Sequence, residues 1–193
     1  MKKVWGLMTV MLVVGSMWTP SFSLFQVQGV YSSYAKGSSV GAGIELPIIP
    51  FIPTTLYLSQ FSDTNITCAF TYLSKTFSGT IPFKSFAADF QFKLPLPDVA
   101  GFTFGADVMV DLLTGRVSGS DVAMPGNVYA GLFAQYNQNL LPLVSAFGQL
   151  GYLAKVVDTQ TAIKNDSSFT GTIDLSAIDR SGLFWRAGVA IGF

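Results

Sequence analysis

The stretch Phe86-Ala87-Ala88-Asp89-Phe90-Gln91-Phe92-Lys93-Leu94 decides the fold. Phe86, Ala88, Phe90, Phe92 and Leu94 fall at every second position, with Ala87, Asp89, Gln91 and Lys93 between them. Successive side chains of a strand point to opposite faces, so this stretch predicts a strand with one apolar and one polar face. The next run repeats the pattern: Phe102, Phe104, Ala106, Val108, Val110 and Leu112 alternate with Thr103, Gly105, Asp107, Met109 and Asp111. At the C-terminus, Leu183, Trp185, Ala187, Val189, Ile191 and Phe193 alternate with Gly182, Phe184, Arg186, Gly188, Ala190 and Gly192.

Alternation alone does not say which face is wet, because a soluble sandwich shows it too. Three features point to hydrocarbon outside. The second faces are rich in glycine and alanine with scattered charges, which suits a crowded barrel interior better than a solvated surface. Aromatic residues recur near strand ends on the apolar face (Phe25, Phe86, Phe102, Tyr136, Trp185 and Phe193), as interfacial girdles require. Runs of roughly ten residues at a tilt near 45° match a bilayer's hydrocarbon thickness.

An internal repeat sets the strand count. Leu46-Pro47 recurs as Leu94-Pro95 and Leu141-Pro142, each time closing one alternating run shortly before the next. Proline cannot donate to a sheet ladder, so these prolines, with Pro50, Pro53 and Pro97, belong at strand ends and turns on one rim. Three turns joining strand pairs, with one strand at each end, give about eight strands. The expected strands are Phe25–Tyr34, Ser39–Leu46, Thr54–Phe61, Lys84–Leu94, Gly101–Leu113, Asn127–Asn137, Leu143–Val157 and Ser181–Phe193. The opposite rim then carries a short connection, Ala35–Ser38, and longer loops Ser62–Phe83, Thr114–Gly126 and Asp158–Arg180. Within the first long loop, Ile66–Phe77 fits either a helical stripe (Ile66, Phe70, Leu73, Phe77) or a strand (Ile66, Cys68, Phe70, Tyr72).

The N-terminus reads as an export signal over residues 1–23. Lys2 and Lys3 precede an apolar Val4–Trp18 stretch, Pro20 breaks a helix, and Ser21 and Ser23 place small residues before a cleavage site at Leu24. Residues 24–193 form the expected barrel domain. The 193-residue chain is 50% hydrophobic and only 11% charged, with 11 basic and 11 acidic side chains in balance, so no electrostatic footprint for nucleic acid is present. A lone Cys68 supports neither a disulfide framework nor a zinc or iron–sulfur cluster.

With these residues in view the chain resembles the small eight-stranded outer-membrane barrels, the class that includes the OmpA transmembrane domain and OmpX. The resemblance covers the architecture of the whole mature region. It implies an all-β transmembrane antiparallel up-and-down barrel in the outer membrane, with membrane lipid and the barrel-assembly machinery as partners. In this class a terminal strand ending on an aromatic residue is the signal read by that machinery, a role the resemblance carries onto Trp185, Val189, Ile191 and Phe193.

Catalytic chemistry is not indicated. The chain has no histidine, the commonest general base and metal ligand, and the barrel enzymes of this membrane resemble one another in relying on one. No serine or threonine has an evident activating base, and no metal or cofactor is expected. The constellation to weigh is the set of ionisable residues on inward faces: Glu45, Asp89, Lys93, Asp107, Asp111, Lys155 and Arg186. A turn centred near Asp98 would set Asp89 opposite Asp107, with Arg186 across the barrel to fork between them. Such a set either plugs a narrow interior or lines a path for protons or ions. The leading expectation is a structural or surface-interaction protein, with loop residues Phe70, Tyr72, Phe77 and Phe169 at the contact surface and a surface ligand as partner. A narrow channel, a histidine-free membrane enzyme and, as a different fold, a lipocalin-like soluble barrel are the alternatives.

Overall fold

The structure, a computed structural model, describes residues 25–49, 52–72, 75–94, 101–117, 120–159 and 169–193. The expected signal, residues 1–23, lies outside the described residues. The strands are β1 (Gln26–Ser33), β2 (Ser38–Ile49), β3 (Ile52–Phe61), β4 (Thr64–Tyr72), β5 (Lys75–Lys93), β6 (Phe102–Val117), β7 (Ser120–Leu141), β8 (Val144–Val157), β9 (Phe169–Ile173) and β10 (Gly182–Gly192). Eight of them close into an antiparallel barrel in the order β1-β2-β3-β5-β6-β7-β8-β10, and β10 returns to β1. Closure leaves no unpaired edge around the ring, a condition that hydrocarbon imposes on any sheet crossing it.

The alternation seen in the sequence sorts the two faces of each strand. On β5, Ala87, Asp89 and Gln91 are buried while Phe86 and Phe90 are exposed. On β10, Phe184, Arg186 and Ala190 are buried, whereas Leu183, Trp185, Val189, Ile191 and Phe193 are exposed. Val40, Leu58, Leu132 and Leu150 extend the same exposed apolar belt around the barrel. An apolar surface of this extent is unfavourable in water and requires hydrocarbon or a partner against it. From Leu183 to Phe193 the strand rises ~33 Å, which at a tilt of ~40° stands roughly 25 Å tall, the height of the apolar band in such barrels. Aromatic pairs mark its borders: Phe25 stacks on Phe193 at 5.1 Å and Phe102 meets Tyr136 at 5.4 Å at the turn end, while Tyr31 and Trp185 meet at 5.5 Å nearer the other rim.

Of the Leu-Pro repeats, Leu141-Pro142 falls at a turn, whereas Pro47, expected at a strand end, lies within β2. Pro142 and Leu143 make the two-residue connection between β7 and β8, with Leu141 paired to Val144. Leu143 has φ of 66°, the left-handed conformation that glycine usually supplies. β2 continues past Leu46 to Ile49 with a register shift, and residues 95–100, which include Pro95 and Pro97, lie outside the described residues.

At the opposite rim two expected loops are strands instead. The Ser62–Phe83 segment forms β4 and the outer half of β5, a hairpin in which Ile66 pairs with Ile81 and Phe70 with Phe77, so the strand alternative for Ile66–Phe77 holds. The Thr114–Gly126 segment is the outer part of β6 and β7, from Thr114 paired with Ala123 to Val117 paired with Ser120. β9 joins β4, with Tyr72 opposite Phe169 and Cys68 opposite Ile173. The side chains of Cys68, Phe70, Tyr72, Phe77 and Phe169, the last four expected at a contact surface, lie outside the described residues. The result is a sheet of β9, β4 and the outer parts of β5, β6 and β7 standing above the apolar belt. Its buried face carries Ile66, Ile81 and Phe83, and its exposed face carries Asn65, Thr67, Ser78 and Thr80.

Candidate functional site

Stacked layers of side chains fill the barrel interior. Nearest the turn rim, Glu45 on β2 accepts from Lys93 on β5 at 2.7 Å, from Gln28 on β1 at 3.0 Å and from Thr55 on β3 at 3.3 Å. The Gln28 carbonyl oxygen in turn accepts from the Tyr57 hydroxyl.

On the far wall lies an amide network that the sequence reading missed. Gln91 donates to Asp107 at 2.9 Å and to Gln149 at 3.1 Å, Gln149 donates back to Gln91 at 2.9 Å and to Gln135 at 3.3 Å, and Gln135 donates to Asn137 at 2.7 Å. An amide both donates and accepts, so glutamines can satisfy one another in a space with little water. The signal was present, because Gln91, Gln135 and Gln149 sit at inward positions of well-patterned strands.

Mid-barrel, Arg186 on β10 reaches the opposite wall. Its Nη2 pairs with Asp89 on β5 and donates to the Tyr34 hydroxyl at 3.1 Å, and its Nε donates to Ser32 at 2.9 Å. The guanidinium also lies 4.4 Å over the Tyr57 ring. Both ends of the ion pair are essentially inaccessible, at 0% and 2%. Removing two ions from water is costly, and this pair offsets part of that cost through an ionic contact, further hydrogen bonds and an aromatic face.

The register differs from the expected one. Asp89 stands opposite Met109, and Asp107 stands opposite Gln91, so the two acids are diagonal neighbours instead of directly opposed. The pairing of β5 with β6 is thus offset by two residues from the expected register, and Gly101, just before β6, has φ of 82°. This places an amide donor, and not a second anion, directly across from Asp107.

Above the ion pair lies an apolar layer of Tyr34, Phe61, Ala87, Met109, Tyr129, Phe133, Leu153 and Phe184. Glycines face several inward rings, two of them in this layer. Phe133 lies opposite Gly105, Phe184 opposite Gly151, Tyr57 opposite Gly43, Phe147 opposite Gly188 and Phe83 opposite Gly115, each a direct cross-strand pair. At each of these glycines even a methyl group would overlap the facing ring.

The outer mouth is covered by a strap, Asp174–Ser181, containing a short 3-10 turn at Ser176–Ile178. Leu175 and Ile178 are buried beneath it. The Tyr129 hydroxyl donates to the Ile178 carbonyl at 3.1 Å and accepts from the Arg180 N–H at 3.1 Å, and Lys36 donates to the Ser176 carbonyl at 2.7 Å. Lys155 is at this rim and not within the barrel, paired with Asp179 at 3.1 Å and Asp158 at 3.5 Å. Arg180, a buried cation missing from the expected set, packs its guanidinium 4.0 Å over Phe61 and donates to the Lys36 carbonyl. It lies in a connection without alternation, so periodicity could not assign it a side. Asp111, the remaining expected member, is fully buried on β6 below the strap.

Thus Glu45 pairs with Lys93 nearest the turn rim, Asp89 pairs with Arg186 mid-barrel with Asp107 held beside it by Gln91, and Asp111 stands apart below the strap. Trp185, Val189 and Ile191 on β10 and Phe193 just past it are exposed, and the Phe193 N–H donates to the Phe25 carbonyl at 3.0 Å across the seam. Among the described residues no group of three His, Cys, Asp or Glu side chains could hold a metal ion.

No protein-family model matches the chain, and no curated protein matches it. Solved structures with a similar course of chain include the N-terminal β-barrel domain of Pseudomonas aeruginosa OprF, at 11% identity and TM-score 0.45, covering 88% of this chain and 96% of that one. Neisserial surface protein A (NspA) is similar at 14% identity and TM-score 0.43, covering 89% and 98% respectively. The fold assignment rests on the strand pairing itself. By closure, strand number and apolar exterior, the chain has the architecture of the small eight-stranded outer-membrane barrels.

Proposed function

We propose that this protein is a non-catalytic, non-conducting anchor of the outer membrane that presents the β9-β4-β5-β6-β7 sheet at the cell surface for interaction. The observation that carries the reading is the filled interior. An ionic layer, an amide network, an aromatic layer and a strap follow one another from rim to rim, and their central residues are buried. An eight-stranded barrel is just wide enough for its own side chains, so a pathway would require small or hydrated groups where Arg186, Tyr57, Phe184 and Tyr129 stand. The raised sheet supports the interaction half of the reading: β5, β6 and β7 extend beyond what crossing a bilayer needs, and β4 and β9 widen them. Single-channel recording in planar bilayers tests the proposal. The expected result is no discrete current from the folded protein, and reproducible unitary conductance would overturn the anchor reading in favour of a narrow channel.

A further inference from the structure

Among the described residues, Asp111 and Arg180 are buried charges at the outer mouth that do not meet. Asp111 is fully buried, and neither of its carboxylate oxygens has a hydrogen-bond partner. Arg180 is 1% exposed, and its Nε and Nη2, one edge of the guanidinium fork, have none either. Of the surrounding anions, Asp111 acts most strongly on Arg180, yet the two are not in ion-pair contact. Geometry brings them to one level of the barrel. Asp111 stands two residues along β6 from Met109, the direct partner of Tyr129, and the Tyr129 hydroxyl holds the Arg180 backbone. What keeps the guanidinium away is the other wall: Nη1 donates to the Lys36 carbonyl, and the group lies over Phe61 beside Gly37.

We propose that the Asp174–Ser181 strap is a two-position latch: Arg180 rests either on the Lys36–Gly37 turn and Phe61, as described, or forked onto Asp111. Each seat answers what the other leaves open. On the turn, the guanidinium gains a carbonyl and an aromatic face but leaves its Nε/Nη2 edge and both Asp111 oxygens unmatched. On Asp111 the fork and the carboxylate match each other bidentately, and the carbonyl of Lys36 is released. The turn seat keeps the Lys36 carbonyl and the Phe61 face but leaves the two charges apart, whereas the Asp111 seat pairs the charges and gives up those two contacts, so each seat carries a term against it. The Lys36 ammonium, bonded to the Ser176 carbonyl on the strap, joins the β1–β2 turn to the same movement. The latch therefore couples the barrel mouth to the β1–β2 turn, and it rests on strap contacts that do not depend on whether the raised sheet binds anything.

The test uses the full chain folded in detergent micelles, with Cys68→Ser and a trifluoromethyl tag at Ala177→Cys, an exposed strap position. The parent is expected to give two fluorine resonances that exchange. Asp111→Asn keeps the shape but removes the charge, and should collapse them to the resonance of the turn-bound seat. Arg180→Met should abolish the response to Asp111→Asn. If Asp111→Asn does not fold, as judged by heat-modifiable gel mobility, Asp111→Glu reaches one methylene further and should enlarge the other resonance by several fold. A single resonance that neither Asp111 variant moves, or two resonances that they leave unchanged, would overturn the latch. Absence of any surface ligand would overturn the interaction reading alone.

Discussion

At the residue scale the interior is governed by volume and by charge. Gly105 faces the Phe133 ring, and Gly148 faces outward with nothing within 4 Å of where a methyl would sit. Gly105→Ala should therefore cost about 1–3 kcal/mol through overpacking, whereas Gly148→Ala should change stability by less than about 0.5 kcal/mol. Urea unfolding in lipid vesicles compares them, and equal effects would mean that Phe133 moves aside freely. For Arg186, replacement by methionine strands Asp89 without its cation, a loss of about 3–5 kcal/mol. Adding Asp89→Asn should recover part of that loss, and a double variant as unstable as the single would show that Arg186 acts through Ser32, Tyr34 and Tyr57 instead.

At the element scale the strap and the last strand carry separate expectations. Partial burial opposes ionisation of Asp179, but the Ser181 hydroxyl and N–H and the Lys155 ammonium outweigh it and hold the carboxyl below its ordinary range. A depressed acid contributes stability above its unfolded-state pKa and loses it as pH falls through the folded value. The strap's attachment should thus persist at neutral pH and weaken only in acid, below about pH 4. The Ser181 amide resonance followed through an acid titration should show a midpoint below about 3.9; a midpoint at or above that value would contradict the assignment. Just past β10, Phe193 stacks on Phe25 and hydrogen bonds across the seam. Phe193→Asp should sharply reduce the folded protein recovered in membrane fractions, and unchanged folded levels there would remove Phe193 from any assembly role.

The strand faces were legible in the sequence because period-two alternation on β5, β6 and β10 is set by which side chains meet hydrocarbon. The raised sheet was not. Thr64–Tyr72 and Lys75–Phe83 place hydroxyls, glycine and proline among apolar residues above the membrane, where both faces tolerate polar groups and the pattern blurs. The diagonal placement of Asp89 and Asp107 was also hidden, because a one-residue error in a turn centre moves every cross-strand partner by two.

For the molecule as a whole, the membrane sets the sign of surface substitutions. Phe90 and Val108 are direct partners on β5 and β6 and both face outward. Arginine at either should destabilise the barrel by about 2–4 kcal/mol near the midplane, where the charge loses hydration. Folding titrations in vesicles measure this, and small, equal effects would place that face in water.

The ring-on-glycine pairs also bear on how such a barrel finds its alignment. A slip of two residues between neighbouring strands keeps every side chain on its own face, and lipid meeting one apolar belt in place of another resists it little. Inside, the same slip moves Phe184 from Gly151 onto Leu153 or Gln149, and Phe133 from Gly105 onto Thr103 or Asp107. Each glycine is thus a notch that accepts its ring at one setting of the two strands and rejects it at the neighbouring settings. The bilayer decides which way the strands face, and these notches decide where along their length they stop.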